Sequence, residues 1–341
     1  MTMHVLICDD SGFARRQMAR CIPDGWDVEI AFAEHGEEAL ELIRAGKGDV
    51  LFLDLNMPVM DGYETMAQIR QHDLPCMVIV VSGDVQAQAR AKMLSLGAID
   101  FIRKPIDNEK LSEILAAYGI YNGDISADNR HVESMAPTSA PFDEKLDAYR
   151  EMVNIAMGRA GENLAQLLGE FIDLPIPNVN LLESNELSMA IAEINQNESV
   201  SAVSKGFVSG GIRGEALVIF NDTNTQNIVE LLKYDTYESS GNVELEALMD
   251  VSNILTGACL NGLAEQLDLS FSLTHPVLLG QHQGLAALLS DNVKKWGKVM
   301  AVEIGYAIKA RNISFDLLLL FPDKAMDEIY SRLVGVNKEH K

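Results

Sequence analysis

Residues 50–62 read VLFLDLNMPVMDG, a short apolar β run that ends in an acid and passes into a turn-forming stretch. Similar runs lie on either side: HVLICDD at 4–10, DVEIAF at 27–32, CMVIVVS at 76–82 and DFIRKP at 100–105. They alternate with helix-like stretches from residue 3 to about residue 118. That alternation predicts an α/β fold, a doubly wound parallel five-stranded sheet with helices on both faces. Open sheets of this kind deliver functional groups at the carboxyl ends of their strands. Those ends are polar here: Asp9 and Asp10 close the first run, Asp54 the third and Ser82 the fourth, while Lys104 and Pro105 follow the fifth.

Three carboxylates brought into one crevice repel one another, and a hard divalent cation with oxygen ligands, Mg²⁺ above all, resolves the repulsion. With charge neutralised, one carboxylate can attack a phosphoryl donor while Lys104 and the Ser82 hydroxyl hold the new phosphoryl oxygens. A single strand-end Asp is more often a solvated turn former. The joint pattern of DD at 9–10, DLNMPVMDG from Asp54, VVSGD at 80–84 and FIRKP at 101–105 is far more specific. It resembles the receiver domain of CheY-type two-component response regulators over about 115 residues, and such a domain is expected at 1–120. The resemblance implies that Asp54 accepts phosphate from a histidine kinase and that Asp9, Asp10, Asp54 and the Asn56 carbonyl hold Mg²⁺. It implies further that Ser82 and Phe101 form a switch pair, that Lys104 contacts the phosphoryl group, and that the Lys104-Pro105 peptide is cis.

The whole chain has 341 residues, 48% hydrophobic, with 50 acidic against 27 basic side chains and a net charge of −23. Nucleic acid and anionic membrane surfaces are poor partners for such a surface. Cys8, Cys21, Cys76 and Cys259 have no paired spacing, and the start MTMHVLICDD turns acidic before a signal-peptide core develops, so a reducing cytoplasm is expected. Membrane insertion is not expected, because ISFDLLLLF at 313–321 is strand-sized and broken by Asp316. The seven histidines have no metal-ligand spacing, and SGGIRG at 209–214 lies between strand-like runs, which makes it a hairpin turn rather than a phosphate loop.

Residues 119–142 gather Gly, Ser, Asn, Asp and Pro, and a linker is expected at 121–142. Beyond it, a helix with Leu146, Tyr149, Met152, Val153 and Ala156 on one stripe precedes strand-like runs LSMAIAEI (187–194), VSAVSKGFV (200–208) and EALVIFND (215–222). A second helix, with Leu245, Leu248, Val251, Leu255 and Ala258, restarts the pattern and leads to KVMAVEIGYAIKA (298–310) and SFDLLLLFPD (314–323). An α+β domain with an internal pseudo-two-fold duplication follows, with repeats at about 143–235 and 242–335.

Positions i and i+3 share a helical face, so Glu151 projects with Asn154 and Asp250 with Asn253. Asp147 and Glu246 extend the same faces one turn earlier, and 22 residues separate each Asn from a proline, Pro177 or Pro276. One Glu-x-x-Asn is more often a solvated face, but repetition with the same proline offset argues for a site. An amide can orient water, and a carboxylate can engage a partner's cation; phosphoryl transfer needs little more than such positioning. The pattern resembles the CheC, CheX and FliY family of chemotaxis phosphatases over about 143–335. It matches fully in the first copy and departs at Glu246 and Asp250 in the second. The resemblance implies hydrolysis of aspartyl phosphate on a phosphorylated CheY-like receiver, with catalytic residues Glu151, Asn154, Asp250 and Asn253 and no metal in the phosphatase domain. The competing expectation is a binding module that docks phosphorylated receivers or other chemotaxis proteins without turnover.

Overall fold

The computed structural model describes residues 2–23, 25–121, 142–183, 186, 200–232, 243–283 and 297–335. The run LSMAIAEI and most of the expected linker lie outside the described residues. The chain divides into two compact units, Met1–Glu151 and Met152–Lys341.

In the first unit the elements alternate as expected: β1 (Met3–Cys8), α1 (Gly12–Cys21), β2 (Val28–Ala33), α2 (Gly36–Arg44), β3 (Val50–Leu53), α3 (Gly62–Gln71), β4 (Met77–Ser82), α4 (Ala87–Leu96), β5 (Asp100–Arg103) and α5 (Asn108–Ala117). All pairings are parallel, in the order β2-β1-β3-β4-β5. Strand alternation assigns each apolar residue to a face. Leu6, Leu51, Leu53, Val78 and Val80 pack with Leu40, Ile43, Met66, Ile69 and Met93 of α2, α3 and α4. Val5, Ile7, Phe52, Ile79, Val81 and Ile102 pack with Met18, Leu111 and Leu115 of α1 and α5. With both faces covered, the strands read as continuous apolar runs. The chain reverses direction across the sheet between β1 and β3, and the carboxyl ends at such a switch point form a crevice.

Helix α6 (Phe142–Leu168) begins in the first unit and continues into the second. Within the first unit, Glu144, Asp147 and Glu151 pair with Arg16, Phe13 N and Lys104.

The second unit continues with β6 (Asn178–Glu183), β7 (Val200–Ser209), β8 (Ile212–Asn221), α7 (Thr225–Leu231), α8 (Val243–Leu267), β9 (Ser272–Leu273), β10 (Val277–Gln283), β11 (Lys298–Ile308), β12 (Ile313–Pro322) and α9 (Asp323–Leu333). Its antiparallel sheet runs β10-β7-β8-β12-β11-β6, with β9 beside β7. Exchanging β6 with β10, β7 with β11 and β8 with β12 turns this order into its own reversal. The expected hairpin is present: Gly210 and Gly211, both at positive φ, join β7 to β8 as a two-residue turn. The edge strands β6 and β10 were not anticipated. Each directly follows one of the two prolines, a position where a missing N–H costs the sheet nothing. Among the described residues no helix is long and apolar enough to cross a membrane.

Candidate functional site

The crevice at the switch point gathers the expected residues. Asp9 (5% exposed), Asp54 (1%), Ser82 (0%) and Lys104 (4%) are buried there, with Asp10 and Asn56 half-buried. The Lys104-Pro105 peptide is cis. Lys104 Nζ donates to Asp9 Oδ2 at 2.7 Å and stands 3.2 Å from Asp54 Oδ1 and 3.1 Å from Glu151 Oε1. The other oxygens are held by local backbone: Ser11 N donates to Asp9 Oδ1 at 3.0 Å, and Asn56 N donates to Asp54 Oδ2 at 2.9 Å. Arg15 Nη1 donates to the Asp9 carbonyl at 2.7 Å, fixing the end of β1. Sequence reasoning missed that arginine, whose only local signal is a basic residue one turn into the helix after the DD pair.

The charges do not balance. Burial, reinforced by Asp9 and Asp54, pushes the Asp10 carboxyl up to about 7. Burial likewise raises Asp54 and Glu151, against the pull of Lys104. Burial works against the charge of Lys104, but Asp54, Asp9 and Glu151 outweigh it and hold the ammonium well above its ordinary value. Three acids around one ammonium, with Asp10 beside them, are the electrostatic condition a divalent cation relieves. Among the described residues no three His, Cys, Asp or Glu converge on one point, Asp9 being turned to Lys104. Mg²⁺ uses one or two carboxylates and keeps several waters, so Asp10, Asp54 and the Asn56 carbonyl fit it in kind.

The expected switch residues occupy neighbouring strands. Val80 pairs with Phe101, which puts Ser82 diagonally next to Phe101 on the same face. Ser82 Oγ accepts from Asp84 N at 3.1 Å, tying the serine to the loop before α4. Phe101 packs in the core shared with α3 and α4. Gly62 opens α3 against this crevice: a Cβ there would strike the Asp54 carbonyl oxygen and the Leu55 Cα, and backbone cannot yield. Gly62→Ala is therefore expected to cost about 1–3 kcal/mol of stability and to slow phosphorylation of Asp54. Thermal melting alongside a labelling time course checks both; an unchanged melt and rate would contradict the close approach.

The second expected constellation lies on α6 and α8. Asp147 Oδ2 accepts from Phe13 N at 2.6 Å and Glu151 pairs with Lys104, so both expected acids of α6 are engaged. Asn154 is 7% exposed, and its Oδ1 accepts no hydrogen bond among the described residues. On α8, Glu246 and Asp250 are exposed and Asn253 is half-buried. Lys205 of β7 donates from Nζ to Asn253 Oδ1 at 2.9 Å, and burial lowers the Lys205 ammonium. The two asparagines thus differ: the amide oxygen of Asn253 is bound by a lysine from its own unit. Lys205 sat unread in a strand-like run, its one signal being a charged residue among VSAVSKGFV. The structure brings Asp9, Asp10, Asp54, Ser82 and Lys104 into one crevice, with Asp9, expected to hold Mg²⁺, paired to Lys104 instead; α6 and α8 each carry their acid and amide one turn apart.

Residues 5–116 match the response regulator receiver domain family, and the N-terminal unit is a receiver domain of two-component signalling. A protein-glutamate methylesterase/protein-glutamine glutaminase of Bacillus licheniformis is 36% identical over 165 residues, which is 46% of this chain and 46% of that protein. The positive alginate biosynthesis regulatory protein of Pseudomonas aeruginosa is 36% identical over 33% of this chain and 46% of its own length. The chain thus spans less than half the length of the curated relatives it matches. Among solved structures, FliY of Thermotoga maritima is 18% identical with a TM-score of 0.43, over 57% of this chain and 98% of that one.

Proposed function

We propose, with a receiver domain at 5–116 as the premise, that this chain is a two-component, chemotaxis-type signalling protein in which Asp54 is phosphorylated by a histidine kinase. Residues 143–341 are, on this reading, a CheC-type phosphatase that hydrolyses aspartyl phosphate on CheY-like receivers under control of the attached receiver. One observation carries it: a translational correspondence between the halves of the second unit. Leu168 and Leu267 end the long helices, Gly169 (φ 69°) and Asp268 (φ 53°) follow them in left-handed conformation, Pro177 and Pro276 come next, and Asn178 and Val277 open the edge strands. Each pair is 99 positions apart, the spacing that also separates Asn154 from Asn253. The self-reversing strand order supports the same reading.

In the receiver, Lys104 holds the phosphoryl oxygens, Ser82 reports their arrival to the loop before α4, and Asp10 and Asp54 with the Asn56 carbonyl would hold Mg²⁺. When bound, Mg²⁺ neutralises charge on the phosphoryl group. In the phosphatase, the Asn amide orients a water in line with phosphorus, and the neighbouring acid engages a lysine of the docked receiver. The esterase activity named for the relatives is not carried over, since the matched stretch is under half of those proteins.

The test is the lifetime of the phosphoryl group on a separately phosphorylated CheY-like receiver. Adding the chain is expected to shorten it many-fold, by a factor that changes severalfold when Asp54 carries beryllofluoride; Asp54→Asn removes that change. An unaltered lifetime under all conditions contradicts the reading.

A further inference from the structure

Strands β7 and β11 correspond at the offset that separates Asn154 from Asn253: Val203 with Val302, Gly206 with Gly305 and Phe207 with Tyr306. Lys205 breaks the correspondence. Its counterpart is Ile304, 0% exposed, so the position accepts an apolar side chain in the same kind of sheet. Lys205 is itself only 7% exposed, on the strand face that carries Val203 and Phe207. Lysine is almost never buried without a counter-charge. Among the described residues, however, its partner is the neutral amide oxygen of Asn253, at 2.9 Å, and no carboxylate pairs with it. An ammonium can only donate, so the Asn253 oxygen must face Lys205 and the NH₂ group is turned away from it. Both residues belong to the second unit, and Asn253 is half-buried on α8.

We propose that Lys205 and Asn253 form an oxyanion-binding site for a phosphate-class ligand, built wholly within the second unit. With its oxygen held by Lys205, the second amide is not free to accept a proton from an attacking water; it offers N–H donors instead. Lys205 supplies the charge and keeps two N–H donors beyond the one given to Asn253. Donors without a free acceptor select a ligand that brings only acceptor oxygens. A lysine acts as a compact point charge suited to a tetrahedral oxyanion, whereas planar carboxylates are matched by the fork of an arginine. The same chemistry comes from free inorganic phosphate or from the phosphoryl group of a docked receiver. The second source rests on the phosphatase reading above; the first does not.

The full-length chain is titrated with inorganic phosphate at constant ionic strength and without Mg²⁺, and binding is read from the backbone amide NMR shifts of Gly206 and Asn253. Saturable shifts are expected for the wild type, with affinity about tenfold or more weaker in Lys205→Ile. Lys205→Met, with an unbranched side chain, serves as the second apolar variant and is expected to match it. Lys205→Ile is also expected to melt at a higher temperature than the wild type, because an apolar side chain replaces a buried ammonium, as at Ile304. No saturable shift in the wild type overturns the inference, as does an affinity unchanged in both variants. Weaker melting with unchanged affinity marks a purely structural lysine and overturns it equally. A separate CheY-like receiver carrying beryllofluoride distinguishes the sources: displacement of phosphate assigns the site to protein-bound phosphoryl groups, and simultaneous binding assigns it to free phosphate. Turnover of a phosphorylated receiver without phosphate binding overturns this inference alone. Phosphate binding without turnover overturns the phosphatase reading and leaves the oxyanion site standing.

Discussion

Replacing both Asn154 and Asn253 with Ala is expected to slow hydrolysis of aspartyl phosphate by about a hundredfold or more while binding of a phosphorylated receiver persists. Neither amide is a keystone of the fold: Asn253 is half-buried with one partner, Lys205, and Asn154 Oδ1 has no hydrogen bond to lose among the described residues. Asn154→Ala should account for most of the loss. The Asn253 oxygen is held by Lys205 at 2.9 Å, and its neighbouring acid, Asp250, is one methylene shorter than Glu151. Separate rates for the two single variants check the asymmetry. Equal losses would mean that Lys205 orients Asn253 for the same task; full activity in the double variant would remove the site.

Asp54→Asn is expected to abolish labelling by acetyl phosphate in the presence of Mg²⁺. Asp54 is the most buried carboxylate of the crevice, at 1% exposed, and its Oδ1 faces Lys104 at 3.2 Å, whereas Asp9 is tied through both oxygens to Ser11 N and Lys104. The substitution removes the nucleophile and a charge from an overcrowded acid cluster, so a stable receiver with no label is the anticipated result. Labelling at the wild-type level would place the acceptor elsewhere. Omitting Mg²⁺ from the wild-type reaction should reduce labelling in the same assay, since the excess carboxylate then lacks its counter-charge.

The receiver was legible because its information is local. Most of the strand runs are apolar on both faces and end at or just before a crevice residue, so VLFLD, CMVIVVS and DFIRKP announce both the sheet and its crevice. Two kinds of feature were not legible. Edge strands such as β6, NVNLLE, are half polar and short, and their pairing with β11 is set by partners more than a hundred positions away. Side-chain pairs distant in sequence were equally hidden: Asp147 with Phe13, Glu151 with Lys104 and Lys205 with Asn253. The periodicity of α6 shows that Asp147 and Glu151 share a face but carries no signal of what that face meets. The last of those pairs makes the two asparagines unequal.

The most direct test of the central claim is a count of phosphate released when a separately phosphorylated CheY-like receiver is supplied in large excess over the full-length chain. Many phosphates per chain are expected for the wild type, sharply fewer over the same interval for the Asn154→Ala, Asn253→Ala double variant, and comparable receiver binding by both. Release of no more than one phosphate per chain by the wild type, with the receiver bound and its phosphoryl group retained, would contradict it and leave a docking module in place of a phosphatase.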